Sequence, residues 1–127
     1  MKRTLALLAL VATLALSSTT GALAQYVMDV GSLTVALRVG DLGDSEEIDQ
    51  ATTFYVARLS RIAGARNSKV LDRAIANRIR AIRYLRNIVH QSREAMRILE
   101  INHSRLDQVI LVTTTNDHTA TLYVDDR

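Results

Sequence analysis

The sequence predicts an α+β fold in which a four-stranded antiparallel sheet packs on a helical hairpin that contains one long amphipathic helix. Three observations lead to this fold class. Short runs of β-branched or alternating apolar residues lie near both ends of the chain, whereas the apolar residues between them recur at helical spacing. The chain has no proline, no repeat and no low-complexity tract, so nothing in it marks an interdomain linker. The predicted order of elements is β-β-α-α-β-β.

Residues 1–24 have the three parts of a secretory signal peptide. A basic pair follows the first methionine, residues 4–16 are an almost pure Leu/Ala/Val run, and small side chains precede Ala24. A helix of these 13 apolar residues is about 20 Å long, too short for the ~30 Å hydrocarbon core of a bilayer. We therefore predict cleavage between Ala24 and Gln25, export to the periplasm or extracellular space, and one domain over 25–127 with no transmembrane segment.

Two strands are predicted first in this domain, at about 26–30 and 33–39. Val, Leu and Tyr are frequent in both stretches, and Gly31-Ser32 between them suits a two-residue hairpin turn whose first residue has a positive φ. In the second strand the side chains alternate between two faces, with Val35 on the apolar one. A β-hairpin is therefore expected ahead of the first helix.

A first helix is predicted over about 45–63. Asp44 followed by Glu47 matches a capping pair, because the Asp carboxylate can accept an orphan backbone N–H of the first turn. Apolar residues then recur at helical spacing, and Gly64 supplies a stop. The acidic segment 41–49 complements the helix dipole, which explains it without a calcium site, and it lacks the spacing of an EF-hand loop.

A long amphipathic helix is predicted over about 69–103. Alternating steps of four and three from Leu71 meet apolar residues at eight of eleven positions. Such a helix is roughly 50 Å long, which exceeds the width of a compact domain of this size. Either it breaks near His90-Gln91-Ser92, or its far half packs on something else.

A second hairpin is predicted at the end of the chain. Residues 109–112 form a continuous apolar run typical of a central strand, and residues 119–124 alternate between Thr or Tyr and apolar side chains. The sequence Asn116-Asp117-His118 between them predicts the turn.

Charge is segregated along the domain. Its 14 basic and 13 acidic residues give a net charge of +1, yet segment 58–105 holds twelve basic residues against three acidic ones, while 25–57 and 106–127 are acidic. Guanidinium groups on one helix face suit phosphates or carboxylates, which they grip bidentately. Six arginines of the long helix lie within about 160° of one another at 100° per residue: Arg73, Arg80, Arg83, Arg86, Arg93 and Arg97.

This arginine face has more than one interpretation. It suits an acidic protein partner or an anionic envelope component such as lipid head groups, lipopolysaccharide or cell-wall polymer. Alternatively it is a solvated helix face, balanced inside the fold by segments 41–49 and 106–126, and the small net charge favours this interpretation. Nucleic acid is disfavoured, because only Tyr84 lies near the arginines and stacking platforms need several rings.

Three residues depart from the amphipathic pattern of the long helix. Arg78 lies within the apolar seam, where it needs a carboxylate if buried; we favour methylenes along the seam and a head group in water. Ile98 and Ile101 fall among the arginines, and a helix end that is apolar all round is a buried end. We therefore expect the sheet or a second copy of the chain to enclose this end.

No catalytic or metal-binding motif is found in the sequence. The absence of cysteine excludes disulfides, thiol chemistry and thiolate metal sites. His90 and His103 lie roughly 20 Å apart on one predicted helix and cannot share a metal, and His118 lies in a turn. We expect no catalytic, cofactor-binding or metal-ligating residue, and no cofactor.

The sequence thus predicts an exported, non-enzymatic protein-interaction module. Its long arginine-rich helix would contact a protein partner, and it would self-associate through Ile98 and Ile101, with arginines meeting carboxylates at the rim. The alternatives are a binder of anionic envelope components and a small-ligand carrier or hydrolase with a pocket between sheet and helices.

Overall fold

A computed structural model describes residues 27–127, which form an α+β fold of five α-helices and a three-stranded sheet. The helices are α1 (Val30–Val39), α2 (Ser45–Gln50), α3 (Lys69–Asn77), α4 (Ile79–His90) and α5 (Arg93–Ile101). The strands are β1 (Thr53–Arg58), β2 (Val109–Thr114) and β3 (Thr119–Val124), and short 3-10 turns at Leu59–Arg61 and Leu106–Gln108 follow β1 and precede β2. The predicted signal peptide and the cleavage site at Ala24 and Gln25 lie outside the described residues.

The sheet has the order β1-β3-β2, with β3 antiparallel to β2 and parallel to β1. The predicted C-terminal hairpin is confirmed, while the predicted four-stranded antiparallel sheet is wrong. Every residue of β3 from Ala120 to Val124 is buried, because the strand has neighbours on both edges. A parallel partner for β3 requires a long crossover from β1, and α3, α4 and α5 supply it.

The predicted strands at 26–30 and 33–39 are replaced by helix α1. The carboxylate of Asp29 caps this helix by accepting the backbone N–H of Ser32 at 2.7 Å. Leu33 and Leu37, four residues apart, are fully buried on one side of it. A short apolar run fits the two-residue period of a strand as well as the 3.6-residue period of a helix. In this segment the helix is formed because it buries both leucines on one side.

The predicted helix 45–63 is correct only at its start. The Asp44 cap is confirmed, since its carboxylate accepts the N–H of Glu47 at 3.0 Å, but α2 ends at Gln50. Residues 53–58 form β1, where β-branched and aromatic side chains suit a pleated surface and pairing with β3 satisfies the backbone. Ala57 is buried against the core in this strand.

The predicted continuous helix 69–103 is also wrong, because three helices occupy this range. The first break is at Arg78, whose backbone (φ −119°, ψ 25°) leaves the helical region. The second is at Gln91–Ser92, where the hydroxyl of Ser92 accepts the N–H of Ala95 at 3.2 Å and begins α5. Of the two alternatives for the excess length, a break near Ser92 is therefore the correct one.

These breaks let each helix cover a different part of the core. Helix α3 packs on α1, α4 on β2, and α5 on β1. The loop before α2 approaches α4 so closely that a Cβ at Gly43 would lie 2.5 Å from Leu85 Cδ1, so any larger residue here would force the buried Leu85 side chain to move. Within residues 27–127, no helix combines the length and the apolar character needed to span a bilayer.

Candidate functional site

The six predicted arginines are distributed over three separate helices. Arg73 lies on α3, while α4 carries Arg80, Arg83 and Arg86 and α5 carries Arg93 and Arg97. All are exposed except Arg86, which is half-buried. The predicted single arginine face therefore does not exist as one straight stripe, and each residue has to be placed by its own contacts.

Arg86 joins α4 to the start of β2. Its Nε donates a hydrogen bond to the carbonyl of Val109 at 2.9 Å. Burial lowers the pKa of its guanidinium, the nearby Asp107 raises it, and the like charge of Arg83 lowers it again, with a net decrease. Because its donor is directed at the main chain, Arg86 has a structural role in this fold.

Arg97 forms an ion pair with a carboxylate of its own helix. Its Nε lies 2.5 Å from Glu94 Oε1, one turn earlier. The hydrogen bond between them raises the pKa of Arg97 and lowers that of Glu94. Both side chains remain solvent-exposed, so the pair is of the kind that contributes little to stability and exchanges readily.

The other four arginines have no internal partner. Among residues 27–127, no hydrogen bond or ion pair is formed by Arg73, Arg80, Arg83 or Arg93. The acidic segment 41–49 likewise forms no ion pair with any described residue. Of the six arginines, Arg97 alone forms an ion pair within residues 27–127, and its partner Glu94 lies outside segments 41–49 and 106–126 of the solvated-face interpretation.

Arg78 has a partner that the sequence did not indicate. Its Nη1 donates to the carbonyl of Leu37 at 2.7 Å and its Nη2 to that of Gly40 at 3.1 Å. These carbonyls belong to the C-terminal end of α1, where backbone acceptors lack helical partners and the dipole favours a cation. Half-buried Arg78 therefore holds the end of α1 against the α3–α4 junction.

A groove of about 500 Å³ runs beside α5 and the 3-10 turn that precedes β2. We call it the α5 groove. It is lined by three arginines (Arg93, Arg97, Arg105), three apolar residues (Met96, Leu99, Leu106) and by Glu100 and Ser104. Arg105 was not among the predicted residues, since it follows the helical pattern and only the return of the chain after α5 brings it to the groove.

The two isoleucines proposed for self-association have different environments. Ile98 is half-buried and packs against the protein's own core, whereas Ile101 is 57% exposed. The last turn of α5 is thus enclosed by the sheet on the side of Ile98 and open to solvent at Ile101.

The three histidines are far from one another in the chain, and none of them is among the residues that line the α5 groove. His103 and His118 both have positive φ, 57° and 64°, and follow α5 and β2 respectively. His90 is exposed at the end of α4. Among residues 27–127, no three His, Cys, Asp or Glu side chains are grouped so that they could hold a metal ion.

No protein-family model, curated protein or solved structure matches this chain. The surfaces that bear on function are therefore the α5 groove and the unpaired arginines of α3 and α4. Their chemistry is that of cationic side chains beside exposed apolar surface.

Proposed function

We propose that the protein is an exported, non-enzymatic interaction module that binds an acidic, partly apolar protein segment in the α5 groove. The observation that supports this most directly is Arg93, an exposed guanidinium without a partner in the described part of the chain, at a groove with apolar lining. Guanidinium groups at a rim around an apolar centre are the usual composition of a protein–protein interface.

The groove offers two kinds of contact to such a segment. Half-buried Met96 and Leu106 supply the apolar surface that an aliphatic side chain needs, while Leu99 lines the groove but is only 1% exposed. Arg97 and Arg105 now pair with exposed carboxylates of Glu94 and Asp107, and exchanging these for a partner's carboxylate costs little because both pairs are solvated. Arg93 requires no exchange at all, so it is the first cation available to the partner.

Self-association is the narrower form of this proposal. A second copy carries the required acidic surface in segment 41–49, which has five acidic side chains, all exposed. The exposed Ile101 lies at the end of the helix that lines the groove, where it would be covered by a bound copy. Both features are available in the monomer and need no rearrangement.

The groove is tested with a labelled peptide of alternating glutamate and leucine residues, titrated by fluorescence anisotropy. The triple variant R93Q/R97Q/R105Q should bind at least about tenfold more weakly, equivalent to ~1.4 kcal/mol. The matched control R73Q/R80Q/R83Q removes the same charge elsewhere and should bind within about threefold of wild type. Equal losses in the two variants would mean that net charge, and not the groove, holds the peptide.

Self-association is tested separately by sedimentation over a wide concentration range. The wild-type protein should approach twice the monomer mass at high concentration, and Ile101→Asp should shift it towards the monomer. Ile98→Asp is less suitable, because Ile98 packs into the core and its loss would unfold the protein. A wild-type monomer at every concentration would exclude self-association and leave the peptide experiment unaffected.

Export and processing belong to the same proposal and have a simple test. The intact mass of the protein recovered from the periplasm or medium should correspond to a chain that begins at Gln25. A full-length mass in the exported fraction would contradict cleavage at Ala24.

A further inference from the structure

The outward faces of α1 and α3 form a second surface, distinct from the α5 groove. Val35 and Val39 on α1 are 56% and 79% exposed, and Val70 on α3 is 60% exposed. Single exposed valines are ordinary, but three of the six exposed large apolar residues in the described chain lie on this one pair of packed helices. Half of the exposed large apolar side chains in residues 27–127 are thus concentrated on α1 and α3.

Two cationic side chains share a groove with one of these valines. Arg38 of α1, together with Val70 and Arg73 of α3, lines one small groove of about 220 Å³ between the two helices. Neither arginine forms an ion pair or hydrogen bond with any described residue. We call Val35, Arg38, Val39, Val70 and Arg73 the α1–α3 patch.

Negative charge is nearly absent from the two helices. Helix α1 contains no acidic residue, and α3 contains only Asp72. The carboxylate of Asp72 is already paired with Arg127, whose Nη2 lies 2.7 Å away. Lys69 adds a further exposed cation at the start of α3. The α1–α3 patch therefore combines exposed apolar surface with cationic side chains that form no ion pair in the described chain.

We propose that the α1–α3 patch docks the protein onto the surface of a bilayer that contains anionic lipids. In this arrangement the valines enter the boundary between head groups and acyl chains, while Arg38 and Arg73 bind lipid phosphates. A polar face with basic residues beside an apolar one is the pattern of helices that lie in the plane of such an interface. The docking is peripheral, and no part of the described chain crosses the membrane.

Other occupants fit the patch less well. A second copy bound face to face would bring two sets of arginines together, because a two-fold interface repeats the same surface on both sides. Nucleic acid would find no aromatic ring on the patch to stack on. An acidic peptide would find a groove of only about 220 Å³, less than half the volume of the α5 groove, with Val35 and Val39 outside its lining.

The experiment is co-sedimentation of the processed protein with vesicles, after its intact mass has shown that residues 1–24 are removed. Vesicles of phosphatidylcholine with about a third phosphatidylglycerol should retain the protein, vesicles of phosphatidylcholine alone should not, and retention should fall with added salt. Absence of retention on the anionic vesicles at low salt would overturn the proposal.

Matched variants locate the contact. R38Q/R73Q should bind anionic vesicles about 25-fold more weakly, near fivefold for each arginine. R80Q/R83Q removes the same charge from α4 and should bind as wild type does. V39Q/V70Q leaves the charge unchanged and should weaken binding several-fold, because less apolar surface enters the interface. Equal losses in R38Q/R73Q and R80Q/R83Q, or no loss in V39Q/V70Q, would overturn docking through this patch.

The variants also separate this proposal from the proposed function. R38Q/R73Q should retain full affinity for the acidic peptide, while R93Q/R97Q/R105Q should retain the larger part of vesicle binding. A loss of peptide binding in R38Q/R73Q would mean that the patch is a peptide site and would overturn the lipid assignment. Since all substituted side chains are exposed, unchanged thermal unfolding should confirm that each variant is folded.

Discussion

Two regions of the molecule use arginine in opposite ways. At the junctions between elements, guanidinium groups are directed at main-chain carbonyls, and each joins parts that are distant in the chain. Arg78 reaches the end of α1, Arg86 reaches the first residue of β2, and Arg58 in β1 donates to the carbonyl of Asn102 at the end of α5. Arg127 similarly donates to Ala65 at 2.8 Å. All four serve the fold.

On the outer faces of the helices the arrangement is reversed. Five arginines there form no hydrogen bond or ion pair with any residue of the described chain: Arg38, Arg73, Arg80, Arg83 and Arg93. The comparison teaches that arginine content alone indicates neither stability nor binding. What matters is whether an unsatisfied carbonyl lies within reach, since such a carbonyl binds a guanidinium before any ligand arrives.

The largest expected effect is at Arg78. Arg78→Ala removes the donor to Leu37 and Gly40 and should lower the free energy of unfolding by about 2–3 kcal/mol, because two half-buried carbonyls lose a charged partner. Urea denaturation measures the loss. Arg80→Ala is the matched outer variant and should change the value by no more than ~0.5 kcal/mol. Similar losses at both positions would contradict the distinction between junction and surface.

A smaller loss is expected at Arg86, which makes one such bond. Arg86→Ala should cost about 1–2 kcal/mol in the same assay, because Val109 then lacks its side-chain donor. Arg83→Ala removes a like charge from its vicinity and should leave stability within about 0.5 kcal/mol of wild type. If Arg83→Ala proved the more damaging variant, Arg86 would not be the structural member of this pair.

The carboxylate of Asp126, which binds Ser60 just after β1, should make the free energy of unfolding depend on pH in the acidic range. Burial raises the pKa of Asp126, but hydrogen bonds from the backbone and hydroxyl of Ser60, at 2.8 and 2.6 Å, and the nearby Arg58 outweigh it and hold the pKa below 3.8. A lowered pKa stabilises the fold above the unfolded value, and this contribution disappears as pH falls through the folded value. Unfolding free energies at pH 7 and below pH 3.8 should therefore differ less for Asp126→Asn than for wild type. An identical pH dependence would show that Asp126 takes no part.

The smallest effect, with the opposite sign, is expected at His103. This residue follows α5 with φ 57°, and the bonds from His103 N to Glu100 O (3.0 Å) and from Ser104 N to Leu99 O (2.9 Å) complete a Schellman motif. His103→Gly should raise the unfolding free energy by about 0.5–1 kcal/mol, because glycine adopts this conformation without steric cost. His90→Gly, within α4, should lower it by a similar amount. Destabilisation by both variants would mean that the His103 side chain makes a compensating contact.

Local signals made part of this fold predictable. The C-terminal hairpin followed from a continuous apolar run, an alternating run and polar turn residues, all within 16 residues, 109–124. The Asp44 cap was equally local, since it depends on one side chain and the N–H three residues later. The Ser92 cap has the same form, but the break there was only one of two alternatives argued from the length of the predicted helix. Such features need no knowledge of the rest of the molecule.

The remainder depended on distant parts of the chain. Residues 53–58 are a strand because β3 pairs with them, and α1 is a helix because Leu33 and Leu37 find a core made by later elements. The arginine pattern had the same limit. Arg83 and Arg86 fit it equally well, and they differ only because the carbonyl of Val109, distant in the chain, lies within hydrogen-bond distance of Arg86. Periodicity identifies what can be buried or exposed, not which partner will be present.

The position of β3 between its two neighbours has a consequence for the order of assembly. Both β1 and β2 are translated before β3, and within residues 27–127 β1 pairs with β3 alone. A nascent chain that lacks residues 119–124 therefore cannot form the sheet of the described residues, and α4 and α5 lack the complete surface on which they pack. Contacts between helices, such as that of α1 with α3, are independent of the sheet, but the core is completed only when the last strand has been synthesised.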